Sequence, residues 1–242
     1  MEIYVRQREK ERLATIGQMA AGLAHEIRNP LGAIKGASQF LDPSRDRPES
    51  RFLRIIIEET DRLNRVVTQF LDYSRPQIDE FKTIDLNAVA KKTVELMRAS
   101  VRQEILLEFT PATSPALILG APDKLQQVLI NFIGNSEKAL VEKLKGYIKV
   151  SVERENTHDN DNNKNNDIYL WVEDNGCGIR KENLDKLFIP FFTTSPSGTG
   201  LGLPISQKIV EGHRGRIEVA SEEGRFTRFT VILPPAGRVH VG

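Results

Sequence analysis

Apolar residues recur at spacings of three and four through residues 1–75, which is the period of an amphipathic α-helix. The pattern predicts one helix through Ala37 and a second that begins near Ser50 and ends before Pro76, because proline cannot continue a helix. The apolar stripe of the first helix comprises Leu13, Ile16, Ala20, Leu23, Ile27, Leu31, Ile34 and Ala37. The stripe of the second comprises Leu53, Ile56, Thr60, Leu63, Val67 and Phe70.

Two such helices, joined by the polar segment 42–48, predict an α-helical hairpin. One hairpin of this size cannot cover its own wide apolar face, so the face needs a partner. We expect two copies to pair as a four-helix bundle, which makes the protein a homodimer through residues 1–76. The alternative is that the hairpin packs on the rest of its own chain, and we favour the dimer over it.

From about Ile84 the pattern changes to short strands with interspersed helices and no regular βαβ repeat. Such a region predicts a two-layer α/β sandwich, in which one mixed sheet carries helices on one face. Helices are expected at 86–99, 125–144 and 203–211, and strands at 105–109, 116–119, 147–154, 167–174, 216–220 and 225–233.

These patterns divide the chain into four parts. Residues 1–76 form the helical hairpin domain, 77–83 a hinge linker, 84–236 the α/β domain and 237–242 a tail. The tract Asn156–Asn166 contains six asparagines and has nothing to bury, so we interpret it as a mobile hairpin loop without an assigned function.

Charge and cysteine content narrow the class of protein. The 242 residues carry 34 Lys+Arg against 33 Asp+Glu, a net charge of +1, which argues against a general nucleic-acid binder. The single cysteine, Cys177, excludes an internal disulfide framework and a zinc site with several cysteines. No apolar run approaches the roughly 18–20 residues needed to cross a bilayer, so we expect a cytoplasmic location.

A histidine in the first helix is the first candidate for chemistry. His25 lies off the apolar stripe and is expected to face solvent, where a neutral imidazole is a competent nucleophile. The adjacent Glu26 could take its second proton or fix its tautomer. Taken alone, an exposed histidine on a helix is most often an ordinary surface residue.

Three further polar clusters follow in the α/β region. Asn131, Asn135 and Lys138 share one helix face and offer amide oxygens for Mg²⁺ and a cation for phosphate, although a solvated polar face would look the same. Asp174 precedes two glycines in "DNGCGI", which suits a flat ligand with an amino group or a simple turn after a strand. The segment "GTGLGL" (198–203) places backbone N–H groups before a helix, which suits phosphates but is weak evidence alone.

The order of these motifs resembles the sensor histidine kinases of two-component signalling, over Leu13 to Pro234. "HEIRNPL" is similar to the phospho-acceptor box of that family, and "NFIGNSEKAL", "DNGCGI", "PFFTT" and "GTGLGL" are similar to its nucleotide-binding boxes. The short segment between the last two resembles the nitrogen-regulation-like type with a short lid.

The resemblance implies a role for each matching residue of the phospho-acceptor box. His25 corresponds to the phosphorylated residue, Glu26 to its acid/base neighbour, and Asn29 to the position that orients a water for dephosphorylation of the partner. The implied activity is autophosphorylation from ATP, followed by transfer to an aspartate of a response-regulator receiver domain.

The resemblance also implies which residues form the nucleotide site. Asn135 corresponds to the Mg²⁺ ligand with Asn131 beside it, Lys138 to a phosphate contact, and Asp174 to the carboxylate that binds the adenine amino group. Two glycines would let the base lie close, Phe191 and Phe192 would anchor a lid, and three later glycines would fold that lid over the phosphates. The further nucleotide-site residues are Gly176, Gly178, Ile179, Phe192, Thr193, Thr194, Gly198, Thr199, Gly200, Leu201, Gly202, Leu203 and Thr227.

Two positions depart from the family pattern. Ser136 stands where the family often has alanine, which we interpret as a mild change, and Ser195 stands where many short-lid relatives carry a lysine that could contact phosphate.

The alternatives to a kinase are a pure ATPase of the same nucleotide-binding superfamily and a dimeric scaffold without catalysis. Since the chain enters its first helix almost at Met1, either it is a fragment of a longer sensor, which could be membrane-linked, or its input comes from a partner. The usual architecture of the family favours the fragment, so we expect the input domain to be absent here.

Overall fold

The computed structural model describes residues 27–38, 50–74, 80–141, 143, 145–154, 166–195 and 198–237. The chain divides into two compact units. The first comprises Met1–Pro76 with Ile189–Ile205, and the second comprises Gln77–Phe188 with Ser206–Gly242. His25, Glu26 and all of the Asn-rich tract except Asn166 lie outside the described residues.

The first unit contains the two predicted helices. Helix α1 covers residues 27–38, and helix α2 covers Ser50–Ser74, beginning at the residue that the sequence indicated. Leu31, Leu53 and Val67 of the predicted apolar stripes are 50%, 46% and 38% exposed. A single chain therefore leaves part of the stripe accessible. None of the described helices combines the length and the apolarity that crossing a membrane requires.

The second unit is built on a mixed sheet of five strands in the order β2-β4-β5-β7-β6. The sequence predicted a mixed sheet but not this order, and the strand predicted at 116–119 lies outside this sheet. The pair β2–β4 is parallel, and the other three pairs are antiparallel. The elements after α2 are β1 (Lys82–Asp85), α3 (Leu86–Arg98), β2 (Ile105–Thr110), β3 (Leu117–Gly120), α4 (Pro122–Ala139), β4 (Gly146–Arg154), β5 (Ile168–Asp174), α5 (Lys181–Leu184), α6 (Gly202–Gly212), β6 (Arg216–Glu222) and β7 (Phe226–Leu233).

The two faces of this sheet differ in polarity because successive side chains of a strand point to opposite faces. One face is apolar and buried, and helices α3 and α4 pack on it. Phe132 of α4 stacks on Phe229 of β7 with ring centroids 4.9 Å apart. The predicted two-layer sandwich is confirmed. The buried inner-face residues include Ile148, Val150, Val152, Leu170, Val172, Phe229 and Val231.

The outer face carries charged and aromatic side chains. Trp171 is covered by Arg228, whose guanidinium carbon lies 4.6 Å from the ring centroid. The indole Nε1 of Trp171 donates to Glu153 Oε1 at 2.8 Å. Arg228 also pairs with Glu173, with Nε donating to Oε2 at 2.7 Å. Among the described residues, the large indole is therefore shielded from water by charged side chains.

A second, two-stranded sheet corrects the predicted linker. Strand β1 pairs with β3 in antiparallel register, from Lys82 opposite Gly120 to Asp85 opposite Leu117. Lys82 and Thr83, which the sequence placed in the hinge at 77–83, therefore belong to a strand. Asp85 then caps α3, since its Oδ1 accepts from Asn87 N at 3.0 Å and from Ala116 N at 3.1 Å. This ladder depends on a partner more than thirty residues away, which local pattern does not reveal.

Helix α4 is displaced from its predicted range of 125–144. It begins earlier, with Pro122 in its first turn, where proline loses no hydrogen bond. It ends at Ala139, whose carbonyl oxygen accepts from Cys177 N at 3.1 Å. The next residue, Leu140, is buried against Gly146 at the start of β4. The apolar period continues past Ala139, but these tertiary contacts end the helix.

His213 connects three elements of the second unit. Its Nδ1 lies 2.7 Å from the carbonyl oxygen of Ile209, and its Nε2 accepts from Ala121 N at 2.9 Å. The ring stacks on Phe81, with centroids 4.6 Å apart. A carbonyl oxygen cannot donate, so the ring carries its proton on Nδ1. The end of α6, the start of α4 and the residue before β1 are therefore held together by one neutral imidazole.

Candidate functional site

Three neighbouring strands place polar side chains at one end of the otherwise apolar inner face. Asp174 is the last residue of β5 and is only 1% exposed. Thr227 lies opposite it on β7, and Ser221 lies opposite Thr227 on β6. The predicted residues Asp174 and Thr227 therefore come from distant parts of the chain to adjacent positions.

Both oxygens of the Asp174 carboxylate are held. Ser136 of α4 donates its hydroxyl to Oδ2 at 2.8 Å, and Gly176 N donates to Oδ1 at 2.9 Å. Burial raises the pKa of Asp174, while these two hydrogen bonds lower it and the neighbouring Glu173 charge raises it. A carboxylate can accept about four hydrogen bonds, so one acceptor position remains on each oxygen.

The glycines after Asp174 are required by close packing within the protein. A Cβ on Gly176 would lie 2.7 Å from both the Cβ and the carbonyl oxygen of Ala139. Gly178 has φ +67°, and its Cβ would overlap the carbonyl of Glu222 at the end of β6. The sequence attributed both glycines to the approach of a ligand, and the structure gives them a reason that needs no ligand.

Replacing Gly178 with alanine is expected to lower the free energy of unfolding by about 2–4 kcal/mol, because left-handed strain adds to overlap with Glu222. Gly224→Ala is the matched control, since Gly224 has φ +80° but no atom within 4 Å of its added Cβ. It should cost only the strain, about 1–2 kcal/mol. Urea unfolding measures both, and equal costs for the two variants would contradict the packing argument.

Two residues that sequence reasoning missed fix the rest of this loop. Ser221 Oγ accepts from Ile179 N at 2.8 Å and lies 3.0 Å from Thr227 Oγ1. Asn175 bridges to the start of β4, accepting from Tyr147 N at 2.8 Å and donating to the carbonyl oxygen of Lys145 at 3.1 Å. The Asn175 side chain has a sequence signal, since it lies inside "DNGCGI". Ser221 has none, because only strand register brings it here.

The polar face of α4 divides into different environments. Asn131 donates its Nδ2 to the buried Ser206 Oγ of α6 at 2.9 Å, so its amide nitrogen serves helix packing. Asn135 is half-buried, and Lys138 is exposed. Within the described part of the chain, no three His, Cys, Asp or Glu side chains are grouped so as to hold a metal ion. The amide oxygen of Asn135 suits Mg²⁺ only if a substrate supplies most other ligands.

The predicted lid residues lie in the first unit, where two backbone hydrogen bonds close the loop that precedes α6. Phe191 N donates to the carbonyl oxygen of Gly200 at 3.0 Å, and Gly198 N donates to that of Ser195 at 3.0 Å. Phe191 and Gly200 both have positive φ, +65° and +67°. The loop contains the predicted residues Phe192, Thr193, Thr194, Gly198, Thr199, Gly200 and Leu201, and the predicted residues Gly202 and Leu203 begin α6.

The structure thus brings one group of predicted residues together and leaves others elsewhere. Asp174 lies with Gly176, Gly178, Ile179 and Thr227 at one end of the sheet. Of the three residues given roles in the phospho-acceptor box, His25 and Glu26 lie outside the described residues, and Asn29 is an exposed residue of α1. The contact of each of these predicted site residues with a nucleotide or a phosphoryl group stays a prediction.

Comparisons with known proteins match both units. Residues 15–78 match the family described as His Kinase A (phospho-acceptor) domain. Residues 120–237 match the family described as histidine kinase-, DNA gyrase B-, and HSP90-like ATPase.

Full-length relatives and a solved structure extend these matches. Signal transduction histidine-protein kinase AtoS of Escherichia coli K12 is 37% identical over 96% of this chain and 37% of its own length. Sensor histidine kinase ZraS of the same strain is 38% identical over 94% and 47%. The chain therefore spans less than half of these two relatives. A crystal structure of histidine kinase ThkA in complex with response regulator protein TrrA is 30% identical over 98% of this chain and 67% of that one, with a TM-score of 0.78.

Proposed function

Because this chain belongs to the sensor histidine kinases of two-component signalling, we propose that it transfers the γ-phosphoryl group of ATP to His25 and then to an aspartate of a response regulator. The observation that carries the proposal is the Asp174 carboxylate, buried at the end of β5, held on both oxygens and still able to accept. A buried acceptor of this kind suits an exocyclic amino group such as that of adenine. The nitrogen-regulation-like subtype stays a prediction.

The nucleotide is proposed to use residues of two kinds. Asp174 accepts from the adenine amino group, while Thr227 lies near the base. Lys138 and the N–H groups around Gly198–Gly202 are proposed to contact phosphate. Asn135 would supply an amide oxygen to Mg²⁺, which neutralises phosphate charge when it is bound.

The chemical step is proposed at His25. One imidazole nitrogen forms a bond to the γ-phosphorus, the bond from phosphorus to the ADP oxygen breaks, and Glu26 takes the proton from the other ring nitrogen. Phosphoryl transfer of this kind depends mainly on positioning and charge neutralisation. The phospho-acceptor match ends at residue 78 and the ATPase match begins at residue 120, so His25 and the nucleotide site lie in separate matched regions. We propose that motion of the linker before Lys82 controls when the step occurs.

The partners follow from the same family membership. The ThkA structure contains a response regulator, which supports a receiver domain as the partner that takes the phosphoryl group from His25. Asn29 is proposed to orient a water that removes the phosphoryl group from that partner. Homodimerisation through residues 1–76 is proposed because Leu31, Leu53 and Val67 are exposed in a single chain and a second hairpin would cover them.

The test is the stability of the label after incubation with γ-³²P-ATP and Mg²⁺. A histidine kinase should retain protein-bound label that is stable in base and labile in acid. A pure ATPase would release inorganic phosphate and keep no such label. A scaffold would neither bind ATP at millimolar concentration nor hydrolyse it, and either of the last two results would overturn the proposal.

A further inference from the structure

We propose that Ser136 is a positioning residue for Asp174, whose hydroxyl fixes the carboxylate in the orientation that accepts from the amino group of the bound base. This inference rests on the proposed ATP site and assigns a residue that acts through Asp174. The sequence interpreted Ser136 as a mild change at a position where relatives often have alanine. The structure shows that its hydroxyl is directed at the central acceptor of the site.

The geometry distinguishes Ser136 from an ordinary helix serine. Serine hydroxyls within helices often bond to the carbonyl oxygen one turn earlier, as Thr93 does with Val89 at 2.7 Å. The Ser136 hydroxyl instead crosses from α4 to β5 and donates to Asp174 Oδ2 at 2.8 Å. Both side chains are 1% exposed, so water does not compete for this bond. The bond is therefore a fixed link between two elements.

The second anchor of the carboxylate is local and cannot replace this link. Gly176 N reaches Oδ1 from two residues along the chain, so it moves with the loop that carries Asp174. Ser136 lies on another element, one residue after Asn135, and so defines the carboxylate relative to α4. Rotation about the carboxylate axis is restricted only when both oxygens are held. Loss of Ser136 would leave Oδ2 without its donor and the acceptor plane less defined.

The link has a consequence for base specificity. With both donors in place, Asp174 presents only acceptor positions, which suits the 6-amino group of adenine and disfavours a base with a 6-carbonyl. If Ser136 acts through Asp174, it should matter only for ligands that carry the amino group. Removal of the hydroxyl should then weaken the preference for that group rather than binding in general.

The experiment compares ATP with purine riboside 5′-triphosphate, which lacks the 6-amino group, on the full chain with Mg²⁺. Binding is measured by titration calorimetry for the wild type and for Ser136→Ala. The variant should bind ATP roughly fivefold to tenfold more weakly, while its affinity for the analogue stays within about twofold. Ser136→Cys, with a weaker donor of similar volume, should fall between serine and alanine.

Ser151→Ala is the matched control. Ser151 is 2% exposed in the same unit, and its hydroxyl donates to the carbonyl oxygen of Thr110 at 3.2 Å, away from Asp174. It should leave the affinities for both ligands unchanged. A separate urea unfolding curve for each variant shows whether the fold is retained.

Each outcome decides between the two proposals. If Ser136→Ala weakens ATP and the analogue equally, or weakens neither, Ser136 is not a positioning residue. If the alanine variant does not fold, the cysteine variant carries the same comparison, and equal losses for both ligands again overturn the inference. If the wild type does not bind ATP, or does not prefer it to the analogue, the proposed adenine site itself is wrong.

Discussion

Replacing Asp174 with asparagine is expected to weaken ATP binding roughly 10- to 150-fold. A hydrogen bond to a charged group contributes about 1.5–3 kcal/mol, and its loss corresponds to that decrease in affinity. The same change should raise the stability of the nucleotide-free protein at neutral pH, by on the order of 1 kcal/mol. The reason is that a buried carboxylate is costly to ionise, whereas the amide of asparagine carries no charge. Binding and stability should therefore move in opposite directions.

The pH dependence follows from the raised pKa of Asp174, which burial causes. The pKa of Asp174 is higher in the folded state than in the unfolded state, so at pH values between these two pKa values the folded state binds more protons. Its contribution to stability is full below the unfolded pKa and is lost as pH rises through the folded pKa. The advantage of Asp174→Asn should therefore be largest at neutral pH and shrink as the pH is lowered through this window.

Urea unfolding across that pH range measures the stability, and titration calorimetry measures ATP binding. Asp185→Asn is the control, since Asp185 is exposed just after α5 and should change neither quantity appreciably. If Asp174→Asn were less stable than the wild type, the carboxylate would serve mainly to hold the loop to α4. The buried charge of Asp174 would then stabilise the fold rather than serve to bind a ligand.

His25→Gln is expected to abolish the acid-labile label completely while leaving ATP affinity within about twofold, because glutamine has no nucleophilic ring nitrogen. His158→Gln is the matched control, with the same substitution in the Asn-rich tract, and should retain the full label. Persistence of the label in His25→Gln would exclude His25 as the acceptor. The measurement is the one proposed for the wild type.

A mixture of the two inactive variants addresses the proposed dimer. At an ATP concentration well below the weakened dissociation constant of Asp174→Asn, that variant keeps His25 but leaves its nucleotide site largely empty, and His25→Gln does the reverse. Label restored on mixing would assign phosphorylation between subunits, and no label after verified exchange of subunits would assign it within one subunit.

Elements that depend on local pattern could be predicted from the sequence. The apolar period gave the start of α2 at Ser50, and alternation gave β4 and β5 to within a residue, with Asp174 at the end of a strand. The end of α4 could not be predicted. Its period continues to Leu144, whereas the contact that ends it is made by Cys177, which follows later in the chain.

The candidate site was predicted in its principal residue and missed in its support. Asp174 has a sequence signal in the glycines that follow it. Ser136 drew notice only as a mild departure from the family pattern, and Ser221 has no sequence signal, because their contacts depend on which helix and strand lie beside β5. Gly178 had a sequence signal that pointed to a ligand, which stays a prediction, and the signal did not reveal that the Glu222 carbonyl at the end of β6 also requires a glycine there.

The shielded tryptophan of the outer face offers a native optical probe. Trp171 is the single tryptophan of the chain, and it lies on β5 three residues before Asp174, buried beneath Arg228. Its fluorescence should therefore shift to longer wavelength only when the five-stranded sheet opens, and the helical hairpin contributes no indole signal. Unfolding of the α/β unit can thus be followed in the intact chain without a label.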